Sequence, residues 1–157
     1  MAHEVIIYCD GACLGNPGPG GYAALLMRFI DDPQEKVVYG KEYLTTNNRM
    51  ELCAAIEGLR ALKQSCKVKI FCDSQYVIKG MTEWMISWQK SHFKNAHNKA
   101  IKNLDLWQEL LAVSAKHDIS WHWVKAHANN YYNDRVDELA KEQALLARHD
   151  HKNMSSK

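Results

Sequence analysis

Proline is scarce in this chain, three in 157 residues, and no biased or low-complexity tract offers a linker. That argues against a disordered protein, and the length suffices for one sizeable core but not for a second full domain. Cysteine is present but unpatterned: five occur, at 9, 13, 53, 66 and 72, an odd number without CxxC or zinc-ribbon spacing. The reading is of reduced, cytoplasmic thiols rather than a disulfide framework. Long apolar runs are also missing. The chain passes from MAHE into a strand of a few apolar residues, too short for a signal-peptide core or a membrane span. Net charge is low, and a formal +2 does not by itself mark a nucleic-acid partner.

What is present is a clear order of elements. EVIIYC and GGYAALLMRF flank a loop rich in Gly, Pro and Asn, which predicts a long hairpin, and KVVYGKEYL follows the turn signal DDPQ. From Thr46 to about Lys63 the period becomes helical, with Thr45 or Thr46 as N-cap and Leu52, Ala55, Leu59 and Leu62 on one stripe. KVKIFCD reads as a strand, DSQYVIKGM and MTEWMISWQKSHF as helices, and HFKNAHNKAIKN as irregular. A helix from about Leu104 to Lys116, a strand ISWHWVKAH and a last helix capped by Asn133 or Asp134 complete the series. The prediction is an α/β fold: a five-stranded mixed sheet, three antiparallel strands then two parallel, flanked by helices on both faces. One domain spans 1–149, and 150–157 form a disordered tail.

Four acids fall where an apolar element ends or turns inward: Asp10, Glu51, Asp73 and Asp137. Singly, each admits a structural role. Asp10 before Gly11 suits a turn, Asp73 before Ser74 a helix cap, and Asp137 the first turn of a helix, where the dipole favours negative charge. Glu51 is different, because positions 51, 55, 58 and 62 share a stripe whose other members are Ala, Gly and Leu. It faces the sheet, and a structural role would require a buried partner, Arg49 or Arg60. Jointly, the topology brings all four to one edge, where unneutralised carboxylates repel one another and divalent cations remove the repulsion. An all-oxygen set favours Mg²⁺ or Mn²⁺ over zinc.

The blocks YCDGACLGNPGPGGY, TTNNRMEL, CDSQYV, NLDLW and WVKAH followed by DELA resemble type 1 ribonuclease H of bacterial kind, in order from about residue 4 to 147. The resemblance implies an endonuclease that hydrolyses the RNA strand of an RNA·DNA hybrid, leaving 3′-hydroxyl and 5′-phosphate ends. It implies two Mg²⁺ ions in the substrate complex, with Mn²⁺ as a substitute, held by Asp10, Glu51, Asp73 and Asp137. His127 matches a mobile catalytic histidine, which as an isolated residue also reads as an exposed loop histidine. Cys13, Asn16, Asn47 and Gln75 would read the RNA 2′-hydroxyls, with Glu51 reaching one as well. Thr46, Asn47 and Asn95 resemble a phosphate pocket for the DNA strand, and Trp84 and Trp88 would meet its deoxyribose, although Trp at helical spacing also suits a core.

Between Glu83 and Asp105 the chain has no acid but carries Lys90, Lys94, Lys99 and Lys102, a stretch resembling the family's basic handle on the duplex. A solvated charged loop is the plain alternative. Three departures stand out: Leu44 where many relatives place a phosphate-pocket Arg, Ser91 and His92 within the basic stretch, and HANNYYND where a loop with Gly and Pro is usual. The expected protein is a cytoplasmic monomer with no membrane contact. Two competing readings are a hybrid-binding module that does not cut, and a nuclease of the same fold acting on DNA.

Overall fold

A computed structural model describes residues 3–28 and 33–155. Strand β1 (His3–Cys13) is flanked on one side by antiparallel β2 (Gly18–Arg28) and on the other by parallel β4 (Cys66–Cys72). β3 (Gln34–Thr45) adds antiparallel to β2, and β5 (Asp118–Trp123) adds parallel to β4, giving the order β3-β2-β1-β4-β5. The sheet is the mixed one expected.

Alternation along the strands sends side chains to two separate cores. Val5, Ile7, Cys9, Val68, Ile70 and Cys72 face α1 (Asn47–Arg60) and α4 (Leu104–Ser114), where Leu52, Ile56, Leu59, Trp107 and Leu110 cover them. Ala23, Leu25 and Met27 face the other way, onto Val136 of α5 (Tyr131–Ser155). Both faces of the central strands are therefore buried, as residues with little exposed polar surface require. Among the described residues, no helix is long and apolar enough to cross a membrane.

Helix α1 starts as its sequence dictates: Thr46 is extended, and its Oγ1 accepts from Arg49 N at 3.3 Å. Glu51, Ala55 and Gly58 are buried on the expected stripe. The two helices expected after Asp73 are one continuous run, α2 (Gln75–Lys79), a π-helical stretch (Gly80–Trp84) and α3 (Met85–Lys90). The cause is tertiary. Trp107 is fully buried against Gly80, and the wider turn carries the backbone around its indole.

The fifth strand ends at Trp123, short of the expected span, because β4 beside it ends at Cys72; Val124 N still donates to Cys72 O at 2.9 Å as the chain departs. Helix α5 begins at Tyr131, before the expected cap, since Asn130 Oδ1 accepts from Asn133 N at 3.1 Å and supplies the cap instead. The helix continues through Asp150 to Ser155, where composition predicts a disordered tail. Asp150 contributes to that extension by pairing with Lys41 of β3 at 2.5 Å.

Candidate active site

The register of β1 with β4 builds the site. Tyr8 lies opposite Phe71, so two residues further on Asp10 and Asp73 come level at the carboxyl ends of adjacent parallel strands. Helix α1 supplies Glu51 by lying directly on Gly11: a Cβ there would stand 2.4 Å from Glu51 N and 2.4 Å from Met50 C. Gly21 does the same for α5, where a Cβ would meet Ala140 O at 2.5 Å, and this close seating brings the first turns of α5 over the end of β1.

Asp10, Glu51 and Asp73 each present a carboxylate oxygen, and these atoms all lie within 4.8 Å of one another. Asp10 is 2% exposed and Glu51 5%, while Asp73 is half-buried. Asp137 stands just outside this trio. Its Oδ2 is 2.9 Å from Lys141 Nζ one turn along α5, and its carboxyl is near enough to Asp10 to help hold a proton there. Burial first, then the charge and hydrogen bond of Glu51 and the charge of Asp73, push the Asp10 carboxyl up to about 12. Burial likewise raises Glu51 well above the usual carboxylate range, against the opposing effect of its hydrogen bond with Asp10.

The structural explanation for Glu51 fails. Arg49 is held by both oxygens of Asp105, at 2.9 and 2.7 Å, and Arg60 by Glu57 and Glu109. Among the described residues, no lysine or arginine forms an ion pair with Asp10, Glu51 or Asp73. Glu51 Oε2 is buried without a hydrogen-bond partner. Three acids packed together, one with an orphaned oxygen, are the donor set of a hard divalent cation, so the residues present fit a metal ion.

Around this cluster the other expected residues take definite places. Cys13, at the end of β1, directs its Sγ at Gly18 O and Thr45 O, each 3.4 Å away. Asn16 in the hairpin loop accepts from Asn47 N at 2.9 Å, tying that loop to the start of α1 beside Thr46. Gln75 begins α2, exposed. Trp84 and Trp88 are half-buried; their rings lie 5.7 Å apart, and Trp88 packs on Trp107 at 4.9 Å, so each is part core and part surface.

Lys90 ends α3, and Lys94, Lys99 and Lys102 follow on the loop beyond it; all four are exposed, and the loop is anchored by half-buried Phe93 and buried Ile101. Asn95 Oδ1 is occupied within that loop, accepting from His97 N at 2.9 Å and Lys99 N at 3.1 Å. Leu44 is 62% exposed at the end of β3. His127 is exposed between β5 and α5 with φ 56, in a turn that also holds Asn129 at φ 60.

Two neighbours of Asp73 carried no signal in the sequence as site residues. Trp123 Nε1 donates to Asp73 O at 3.1 Å, and Asn133 Nδ2 donates to Asp73 Oδ2 at 3.4 Å. Asn133 reads locally as a cap, and only the fold turns it inward.

A profile of the RNase H family matches residues 2–145, nearly the whole chain. The chain belongs to the ribonuclease H family. A ribonuclease H of Hahella chejuensis is 57% identical over 136 residues, covering 87% of this chain and 90% of that protein. One from Marinobacter nauticus is 54% identical over 140 residues, covering 89% and 93%. Among solved structures, LC9-RNase H1, a type 1 RNase H with the type 2 active-site motif, is 34% identical with a TM-score of 0.84, over 92% of this chain and 73% of that one. LC11-RNase H1, solved in complex with an RNA/DNA hybrid, shares the fold at a TM-score of 0.69 and 21% identity, over 91% of this chain and 98% of that one. The kinship is with type 1, bacterial ribonucleases H, and together with the acid cluster it implies a divalent metal.

Proposed function

We propose that the chain is a metal-dependent endonuclease that hydrolyses the RNA strand of RNA·DNA hybrids, leaving 3′-hydroxyl and 5′-phosphate ends, and that it acts as a cytoplasmic monomer. The observation that carries this reading is the carboxylate trio, two of its members buried and Glu51 with an orphaned oxygen, at the parallel strand ends of a ribonuclease H fold. Asp10, Glu51, Asp73 and Asp137 would hold two ions, Mg²⁺ or Mn²⁺. Such ions supply an activated water and charge stabilisation at the departing oxygen.

The chain's own groups divide the remaining work. The carboxylates keep the site anionic and fix its geometry; none is a nucleophile. His127, on its exposed turn, would move a proton at the scissile phosphate or its product. Asn16 and Asn47, joined by the bond from Asn47 N to Asn16 Oδ1, would together with Cys13 and Gln75 offer short polar groups to the 2′-hydroxyl that distinguishes RNA from DNA. Thr46, Asn47 and the Asn95 amide would take a phosphate of the DNA strand, and the outer faces of Trp84 and Trp88 its sugars. Lys90, Lys94 and Lys99 would grip the backbone further out. A relative of this fold solved with an RNA/DNA hybrid supports the choice of duplex.

The test uses labelled RNA·DNA, RNA·RNA and DNA·DNA duplexes, each with Mg²⁺ or EDTA. The expected result is cutting of the RNA in the hybrid alone, and only with the ion. Binding without cutting would establish the hybrid-binding module instead, and cutting of DNA·DNA would establish a DNA nuclease.

A further inference from the structure

Asn133 is 1% exposed, on the first turn of α5, and the only hydrogen bond its side chain makes among the described residues is Nδ2 to Asp73 Oδ2 at 3.4 Å. Its Oδ1 is buried with no partner. A side chain placed for stability would not leave a buried acceptor empty, since that costs the desolvation of the group with no bond in return. Helix capping does not explain it either, because Asn130 caps the helix by accepting from Asn133 N at 3.1 Å.

We propose that Asn133 is a positioning residue for Asp73, holding the carboxylate rotamer in which Asp73 joins Asp10 and Glu51 around the ion. Asp73 follows the last residue of β4 and is clamped at two points. Trp123 Nε1 fixes its main-chain oxygen at 3.1 Å, and Asn133 fixes its side chain. Without the second contact the half-buried carboxylate is free to swing to water, away from its two buried partners.

The residue type matters. A neutral amide orients the carboxylate while leaving its full negative charge for a cation, whereas a lysine or arginine there would neutralise the charge and compete with the ion. A partner that orients a metal ligand in this way commonly changes metal affinity by about 10–100-fold when removed. The same contact links Asp73 to the turn bearing His127, because Asn130 at the end of that turn holds the backbone of Asn133. The inference rests on the proposed ion-holding role of Asp10, Glu51 and Asp73.

The experiment is a calorimetric titration of Mn²⁺ into the unmodified protein and Asn133→Leu, with melting temperatures recorded beside it. Leucine keeps the same number of side-chain heavy atoms and the same branching, lacks the donor and removes the orphaned acceptor. The expected result is about tenfold weaker ion binding with an unchanged or higher ion-free melting temperature, and a cleavage rate that recovers at saturating Mn²⁺. A purely structural role predicts the reverse, a lowered melting temperature with ion binding unchanged. Ion affinity within twofold of the unmodified protein overturns the proposal. If Asn133→Leu does not fold, Asn133→Ala removes the same donor without added bulk and is judged by the same titration. Absence of ion binding in the unmodified protein would instead sink the functional reading, so the two failures are distinguishable.

Discussion

Asp10 and Glu51 approach from different elements, a strand end and a helix, and bring carboxylate oxygens within 4.8 Å of each other although both are almost wholly buried. Two like-charged acids in one dry site are compatible only with a proton or a cation between them. The site is therefore costly to the fold when ion-free, and several expectations follow from that single relationship.

Replacing Asp10 with Asn keeps the shape and removes the need to take up a proton on folding. Ion-free stability at neutral pH should rise by at least about 1 kcal/mol, the worth of one pKa unit between the folded and unfolded states. Hybrid cleavage should fall by about a thousandfold, equivalent to roughly 4 kcal/mol of barrier. Urea unfolding in EDTA and a cleavage assay in Mg²⁺ check both, and a less stable variant would mean that the Asp10 charge is compensated by something other than an ion.

The pH dependence has a definite sign. Asp10 is raised in the fold from 3.8 to about 12, so it binds its proton more tightly when folded than when unfolded. Its contribution is fully present below about 3.8 and declines as pH climbs through the interval above, because there the unfolded chain has released the proton and the folded chain has not. Between pH 5 and 9 the stability of the unmodified protein in EDTA should fall relative to that of Asp10→Asn. Saturating Mg²⁺ should stabilise it increasingly over the same range, since the cation takes the place of the proton. Parallel difference curves in EDTA would refute this.

Gly11 is the contact through which α1 reaches the sheet, and an added Cβ would meet backbone atoms of Met50 and Glu51 at 2.4 Å. Backbone cannot yield as a flexible side chain does. Gly11→Ala should cost about 1–3 kcal/mol by overpacking and should weaken ion binding as well, because it lifts Glu51 away from Asp10 and Asp73. Thermal melts and a Mn²⁺ titration measure the two effects, and a stable variant with normal ion affinity would show that the helix is not seated here.

Much of this arrangement was legible because it is local. Thr46 and the Glu51, Ala55, Gly58 stripe define α1 from neighbouring residues alone, and the strand-end positions of Asp10 and Asp73 imply their pairing. What escaped depends on residues far apart in the chain. The π-helical stretch at Gly80 exists because Trp107 occupies the space beside it. Arg49 is taken by Asp105, at the start of a helix that no local pattern connects to α1. The run NNYYND offers several equivalent caps, and only packing against Asp73 turns Asn133 inward and leaves Asn130 as the cap.

The basic loop should act at a distance from the chemistry. Lys94 and Lys99 are exposed and far from any acid in sequence, so each Ala substitution should lower the slope of log affinity against log salt by about 1 while the rate at saturating hybrid stays unchanged. Filter binding over a salt series measures the slope. An unaltered slope would assign this loop to solvent rather than to substrate.

His127 demands a substitution that respects its backbone. At φ 56 an alanine is strained, whereas asparagine tolerates this conformation well, so His127→Asn removes the imidazole without forcing the turn to rearrange. If His127 moves a proton, the rate at saturating hybrid should fall by about a hundredfold. Mn²⁺ affinity should be unchanged, because His127 stands on an exposed turn outside the trio of Asp10, Glu51 and Asp73. A tenfold drop in ion affinity would make the residue part of the ion site instead, and an unchanged rate would return His127 to an ordinary exposed loop histidine.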